Sequence, residues 1–151
     1  MSASQQSPLG LPLNCHQVQS LIDEHFPGIR TQGHQLVIES VGARSALCVL
    51  NPTPSSIRPG GTISGPAMFT LADFSVYVAL IATLGEAAIP AVTSNLNITF
   101  LRRPPPEAIR AEAEVIRLGR RLAYAEVRMR SAGESEMIAH ATASYALAAK
   151  L

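Results

Sequence analysis

Residues 60–85 read GGTISGPAMFTLADFSVYVALIATLG, and this stretch decides the fold of the chain. Ser64 can cap a helix, and Pro66 fits the first helical turn, where its missing N–H costs nothing. Nearly every residue in 67–84 is apolar or small, and Gly85 is a typical stop signal. A helix that is apolar on all sides is a buried helix. The stretch therefore predicts a long helix at the centre of a core.

Asp73 is the one charged side chain inside this apolar stretch. A buried carboxylate must be paired, hydrogen-bonded or neutral, so Asp73 is the first candidate for a functional residue. Two other interpretations stay open for it: a structural residue bonded to a neighbouring backbone N–H, or a residue on an exposed edge. A membrane span is the competing interpretation of the stretch, but the central Asp and the strands that follow argue against it.

The composition predicts a folded cytoplasmic domain. Of the 151 residues, 47% are hydrophobic and 15% are charged, which excludes a disordered chain and suggests apolar surface hidden in an oligomer. A net charge of +1 gives no general basic field for nucleic acid. Cys15, Cys48 and the four histidines show no metal-ligand spacing, so no metal and no cofactor are expected. Residues 1–13 show no signal-peptide pattern.

One domain over residues 14–151 is predicted, preceded by a loose tail over residues 1–13 that is rich in Ser, Gln and Pro. Asn14 can cap a short helix that carries Val18, Leu21, Ile22 and Phe26 on one face. Residues 35–41 and 45–50 are predicted as a hairpin around residues 42–43. Residues 51–59, with three prolines, are predicted as loop.

The last third of the chain has the pattern of strands. Residues 95–100 alternate polar and apolar side chains, which is typical of a half-buried strand. Residues 109–118 and 122–129 flank a tight turn at 119–120, and residues 131–135 connect them to a last strand over 137–147. One long buried helix followed by four antiparallel strands predicts an α+β domain with the sheet wrapped round the helix.

These features resemble the hotdog-fold thioesterases of the phenylacetate-degradation (PaaI-like) type, from about residue 36 to residue 147. That family typically shows a Gly-Thr-Val-His-Gly-Gly loop and then a helix with an acid nine residues after the His. Here residues 61–66 read GTISGP, Asp73 stands nine residues after Ser64, and residues 92–102 are similar to the family's next strand. The resemblance implies a hotdog fold, in which a curved antiparallel sheet wraps a long central helix, and hydrolysis of an acyl-CoA thioester.

The resemblance also implies roles for individual residues. The Gly65 N–H, at a helix N-terminus, can stabilise the oxyanion, and Asp73 can act as general base or as nucleophile. Thr93 matches a Ser or Thr that helps to hold the water, although it can equally be an ordinary strand residue. Ser64 replaces the family's His, and Pro66 replaces its second Gly and has no N–H to offer. These departures leave Gly65 as the main amide donor.

Coenzyme A needs cations for its phosphates, and two pairs of arginines are candidates: Arg102 with Arg103 at a strand end, and Arg120 with Arg121 at a hairpin tip. Arg58 stands where some relatives carry an Asn, so the acyl end of the site is expected to differ. A hotdog dehydratase or hydratase would need a catalytic His beside the acid. A non-catalytic acyl-CoA-binding or regulatory domain would not need Asp73.

The expected assembly of the protein follows from the distance between Asp73 and Gly65. Asp73 and Gly65 are eight residues apart on one helix, a rise of about 12 Å, which is too far for both to reach one carbonyl. Antiparallel helices of two chains would bring Asp73 of one subunit opposite Gly65 of the other. The sequence therefore predicts a homodimer with two shared sites, joined along the strand over 92–101, and the resemblance adds pairing of dimers into a tetramer.

Overall fold

The structure, a computed structural model, describes residues 11–31, 33 and 35–148. Residues 1–10 of the predicted tail lie outside this part of the chain. Leu13 is already buried and its N–H donates to the Ala82 carbonyl at 2.8 Å, so the tail ends before residue 13. In chain order the regular elements are α1 (Cys15–His25), β1 (Gln35–Gly42), β2 (Ser45–Asn51), β3 (Ile57–Arg58), β4 (Thr62–Ile63), α2 (Gly65–Leu84), β5 (Val92–Phe100), β6 (Ile109–Leu118), β7 (Leu122–Ser131) and β8 (Met137–Ala146).

A six-stranded antiparallel sheet packs around α2. Its strand order is β1-β2-β6-β7-β8-β5, which places β5 at one edge with β8 as its neighbour in the sheet. The alanines of β8 that face the helix are almost fully buried, because small side chains let helix and sheet approach closely. The predicted hotdog fold, with a short N-terminal helix and a long central helix, is confirmed.

α2 has the composition of a membrane span and the position of a core helix. By length and hydropathy the segment Gly65–Ala88 could cross a membrane, yet 72% of its most apolar window is buried inside the protein. The helix starts where the sequence predicts, since the Ser64 side chain accepts a hydrogen bond from the Ala67 N–H at 3.2 Å. It ends before Gly85, whose φ of 68° is in the left-handed region.

The prediction that residues 51–59 form only a loop is wrong. Pro54–Ser56 form a 3₁₀ turn, and the two-residue strands β3 and β4 pair across a tight turn at Gly60 and Gly61, both with positive φ. The Ser64 N–H donates to the Ser56 carbonyl at 2.8 Å, which ties this hairpin to the start of α2. The hairpin therefore carries Arg58 back beside the helix N-terminus.

Other bounds differ from the predictions by a few residues, each for a local reason. β5 begins at Val92 instead of residue 95, because a bulge at Ser94 shifts the register and hides the alternation. The first hairpin turns at residues 43–44 instead of 42–43, with the Arg44 N–H donating to Thr83 Oγ1 at 3.0 Å. β7 continues to Ser131, and Phe26 lies beyond the end of α1 and is half exposed.

Candidate active site

Asp73, on α2, is half-buried. One of its carboxylate oxygens accepts hydrogen bonds from two hydroxyl groups. Thr93 Oγ1, on β5, donates to Asp73 Oδ1 at 2.6 Å. The Tyr145 hydroxyl, on β8, donates to the same Oδ1 at 2.5 Å and also lies 2.9 Å from the Asp73 backbone carbonyl oxygen. Within residues 11–31, 33 and 35–148, no hydrogen bond reaches Oδ2. The carboxylate is thus held by one oxygen, and the other is free for chemistry.

Tyr145, on β8, is a site residue that was not predicted from the sequence. It is 3% exposed. Burial, followed by the negative charge of Asp73, raises the pKa of Tyr145, so its hydroxyl remains a donor at ordinary pH. Its ring stacks on Tyr77, with centroids 6.4 Å apart. The signal in the sequence was a lone hydroxyl on an alanine-rich buried face, since a buried hydroxyl needs a partner.

An apolar cavity of about 510 Å³ opens beside Asp73. Asp73, Thr93 and Tyr145 form its polar wall. Apart from Thr70 on α2, the rest of the lining is apolar or aromatic: Phe26, Ile29, Leu36, Phe69, Phe74, Tyr77, Ile89, Pro90, Ala91 and Val92. The cavity can hold an apolar group with its reactive end at the carboxylate.

Gly65 lines a second cavity, of about 440 Å³, which Asp73 does not line. The Gly65 N–H donates to no acceptor in the described part of the chain and stands in the first turn of α2, where the helix dipole favours negative charge. A Cβ at Gly65 would lie 3.2 Å from the Phe100 ring, so an alanine fits here if that half-exposed ring shifts by a few tenths of an ångström. This cavity offers a free amide for a developing oxyanion.

Two of the four predicted phosphate-binding arginines, Arg102 and Arg103, line the Gly65 cavity. Arg58, which the sequence assigned to the acyl end of the site, lines the same cavity. Arg102 is paired with Glu136. Arg58 and Arg103 make no ion pair with a carboxylate among the described residues, and a Cβ on Gly60 would come within 2.9 Å of Arg103 Nη2. Arg120 and Arg121 are exposed at the β6–β7 turn and line neither cavity.

Ser64 and His140 have structural partners. Ser64 Oγ accepts a hydrogen bond from the Ala67 N–H as the helix cap, which gives a structural reason for a serine at the family's His position. His140 lies on the outer face of the sheet, 2.7 Å from Glu126 Oε1, and therefore points away from Asp73. Asp73 is bonded to hydroxyls, so the interpretation as a residue bonded to a neighbouring backbone N–H is wrong.

The two cavities lie at opposite ends of β5. Thr93, at the start of the strand, bonds Asp73, whereas Phe100, at its end, covers Gly65. Seven residues at about 3.3 Å each separate these ends by about 23 Å. A carboxylate with a free oxygen, and a free amide at a helix N-terminus, are the groups that hydrolysis of an activated acyl group requires. Fold and site together define a hydrolase of the acyl-thioester type.

Comparisons with known proteins agree with this class. The sequence profile of the thioesterase superfamily matches residues 60–138, and a candidate thioesterase from Silicibacter sp. TM1040 is 31% identical, with a TM-score of 0.80 over 93% of this chain and 97% of that one. The chain belongs to the thioesterase superfamily, and its enzyme class is thioester hydrolase. A comparison with curated protein sequences gives no significant match.

More distant solved structures share the fold. The PaaI protein of the Escherichia coli phenylacetic acid degradation operon is 18% identical, with a TM-score of 0.74 over 89% of this chain and 94% of that one. A hypothetical thioesterase of Streptococcus pneumoniae, solved with coenzyme A, is 19% identical, with a TM-score of 0.66 over 76% and 86% of the two chains. The predicted PaaI-like resemblance is confirmed.

Proposed function

We propose that the protein hydrolyses acyl-CoA thioesters in two equivalent sites, each shared between two chains. The observation that carries this proposal is the separation of the Asp73 cavity from the Gly65 cavity on one chain, at opposite ends of the edge strand β5. In each site Asp73 of one chain activates water or attacks the thioester, and the Gly65 N–H of the partner stabilises the oxyanion.

The edge strand β5 supports this assembly. One side of this strand pairs with no other strand among the described residues, and the strand contains no Pro or Lys. Exposed apolar residues lie at its start, Val92, and at and just after its end, Phe100 and Leu101. Such an edge is prepared to pair with another strand. Antiparallel pairing of two β5 strands about a two-fold axis near their middle would place Thr93 of one chain beside Phe100 of the other. Asp73 would then lie next to the partner's Gly65.

The acyl group, on this proposal, occupies the apolar cavity beside Asp73. Its lining excludes a second charged group, because an unpaired charge placed against aromatic side chains is costly to desolvate. Acyl chains that are apolar throughout are therefore the substrate class. The coenzyme A moiety extends into the Gly65 cavity of the other chain, where Arg58 and Arg103 can bind its phosphates. The coenzyme A in the Streptococcus pneumoniae structure supports the choice of thiol.

A panel of acyl-CoA esters followed by free-thiol release tests the function. Apolar acyl-CoAs should be hydrolysed with kcat/KM values roughly tenfold or more above those of acyl-CoAs that end in a carboxylate. Binding without thiol release would indicate a regulatory acyl-CoA-binding domain. Hydration of an enoyl-CoA without thiol release would indicate a hydratase. Either result would refute the proposal. Equal rates across the panel would refute the part of it that places the acyl group in the apolar cavity.

Substitution of Arg103 tests the phosphate contact. Arg103→Ala should raise KM for acyl-CoA about tenfold or more at nearly unchanged kcat, since a charge-assisted hydrogen bond to the substrate is lost. The KM for the same acyl group on pantetheine, which lacks the nucleotide phosphates, should not change. Arg102→Ala should have a smaller effect because Arg102 is paired with Glu136.

Arg117→Ala, an exposed arginine that lines neither cavity, is the matched control. An equal rise in KM for the pantetheine ester would show that Arg103 does not contact phosphate. Arg120 and Arg121 belong to a phosphate site only if the partner's cavity approaches their hairpin, and the same comparison of esters measures this.

The cytoplasmic location stays a prediction.

A further inference from the structure

Two hydroxyl donors converge on a single oxygen of the candidate catalytic carboxylate. Thr93 Oγ1 and the Tyr145 hydroxyl lie 2.6 and 2.5 Å from Asp73 Oδ1, both within the range of charge-assisted O–H···O⁻ bonds. The Tyr145 hydroxyl has one proton and a second acceptor, the Asp73 carbonyl, at 2.9 Å. The carboxylate oxygen is closer and negatively charged, so it receives that proton.

The two donors differ in their surroundings. Thr93 is an exposed residue on the edge strand, next to the bulge at Ser94. Tyr145 is on β8, between β7 and β5, where it stacks on Tyr77 and is almost completely buried. Tyr145 is therefore the donor whose position is fixed by packing within this chain.

We propose that Tyr145 is a positioning residue: by binding Asp73 Oδ1 it holds the carboxylate turned so that Oδ2 faces the thioester or the water. This role rests on the proposed function, in which Asp73 is the reacting group. A fixed rotamer keeps the reactive oxygen in line with its target. A purely structural tyrosine would contribute packing alone.

Tyr145→Phe tests this role because it keeps the ring in its stack and removes the hydroxyl. In Tyr145→Phe, kcat should fall roughly tenfold with little change in KM, because the reactive oxygen is no longer held in line with its target. Tyr124→Phe, which removes a hydroxyl from the exposed face of the same sheet, should change neither quantity.

A folded Tyr145→Phe protein with the kcat of the native protein would overturn the positioning role while leaving the thioesterase proposal intact. Native protein without thiol release would instead refute the proposed function. If Tyr145→Phe fails to fold, replacement of the three tyrosines by fluorotyrosine keeps the packing and makes the hydroxyl a stronger donor. The kcat should then change at an unchanged KM, and an unchanged kcat would overturn the role.

Discussion

Replacing Asp73 by Asn should lower thioester turnover by about 10²- to 10⁴-fold, the range expected when a general base is lost. The asparagine Oδ1 can still accept the hydrogen bonds that Thr93 and Tyr145 donate to the aspartate. Its amide nitrogen replaces Oδ2, so the fold and the side-chain orientation persist while the reactive oxygen disappears. Substrate binding should change little, which places the loss in kcat.

The measurement is free-thiol release by the purified Asp73→Asn protein, with thermal unfolding as the check on its fold. Asp23→Asn is the matched control, since Asp23 is an exposed acid paired with Arg30 on the surface. Native turnover in a folded Asp73→Asn protein would exclude Asp73 from the chemistry. Single turnover of the native enzyme in oxygen-labelled water identifies a nucleophile: label in Asp73 requires an anhydride intermediate that water opens at the Asp73 carbonyl, whereas label in the acid product arises in either role.

The fold could be predicted from the sequence to the extent that local patterns determine it. The all-apolar composition of α2, its Ser64 cap and the Gly85 stop are local features, and the structure has all three. The bulge at Ser94 and the small hairpin of β3 and β4 could not be predicted, because both depend on contacts with distant segments. The Ser56–Ser64 backbone bond is one such contact.

The candidate site shows the same division. Asp73 and Gly65 were found because a lone charge in an apolar helix and a free helix N-terminus are visible in the sequence. The pairing of Arg102 with Glu136 and the convergence of Tyr145 on Asp73 join residues far apart along the chain. The rise of about 12 Å along one helix, by contrast, is visible in the sequence and led to the prediction of two chains per site. The separate cavities support that proposal.

The second large effect that we expect is activity in mixed dimers that are assembled from two inactive variants. One parent is Asp73→Asn, and the other is Gly65→Pro, which removes the amide donor. Position 65 begins the helix, and Ser64 before it has the extended ψ of 151° that a following proline requires. Because Pro66 also restricts residue 65, thermal unfolding must show that the Gly65→Pro protein is folded. Each parent alone has two defective sites. A mixed dimer has one site with both defects and one site with none.

Gly65→Ala is the control for the second parent. Its Cβ meets the Phe100 ring at the same 3.2 Å, but its N–H remains. If the amide is what matters, the alanine variant should keep far more activity than the proline variant. Comparable loss in both would assign the defect to Phe100 packing, and Gly65 would then not be the oxyanion donor.

The most direct test of the shared site is the activity of mixed dimers purified with two different affinity tags, one on each variant. If each site takes Asp73 from one chain and Gly65 from the other, the purified mixed dimer should recover about half of the native turnover, since one of its two sites is intact. Mixed dimers of confirmed composition that remain as inactive as their parents, or a native protein that is active as a monomer, would contradict the shared site.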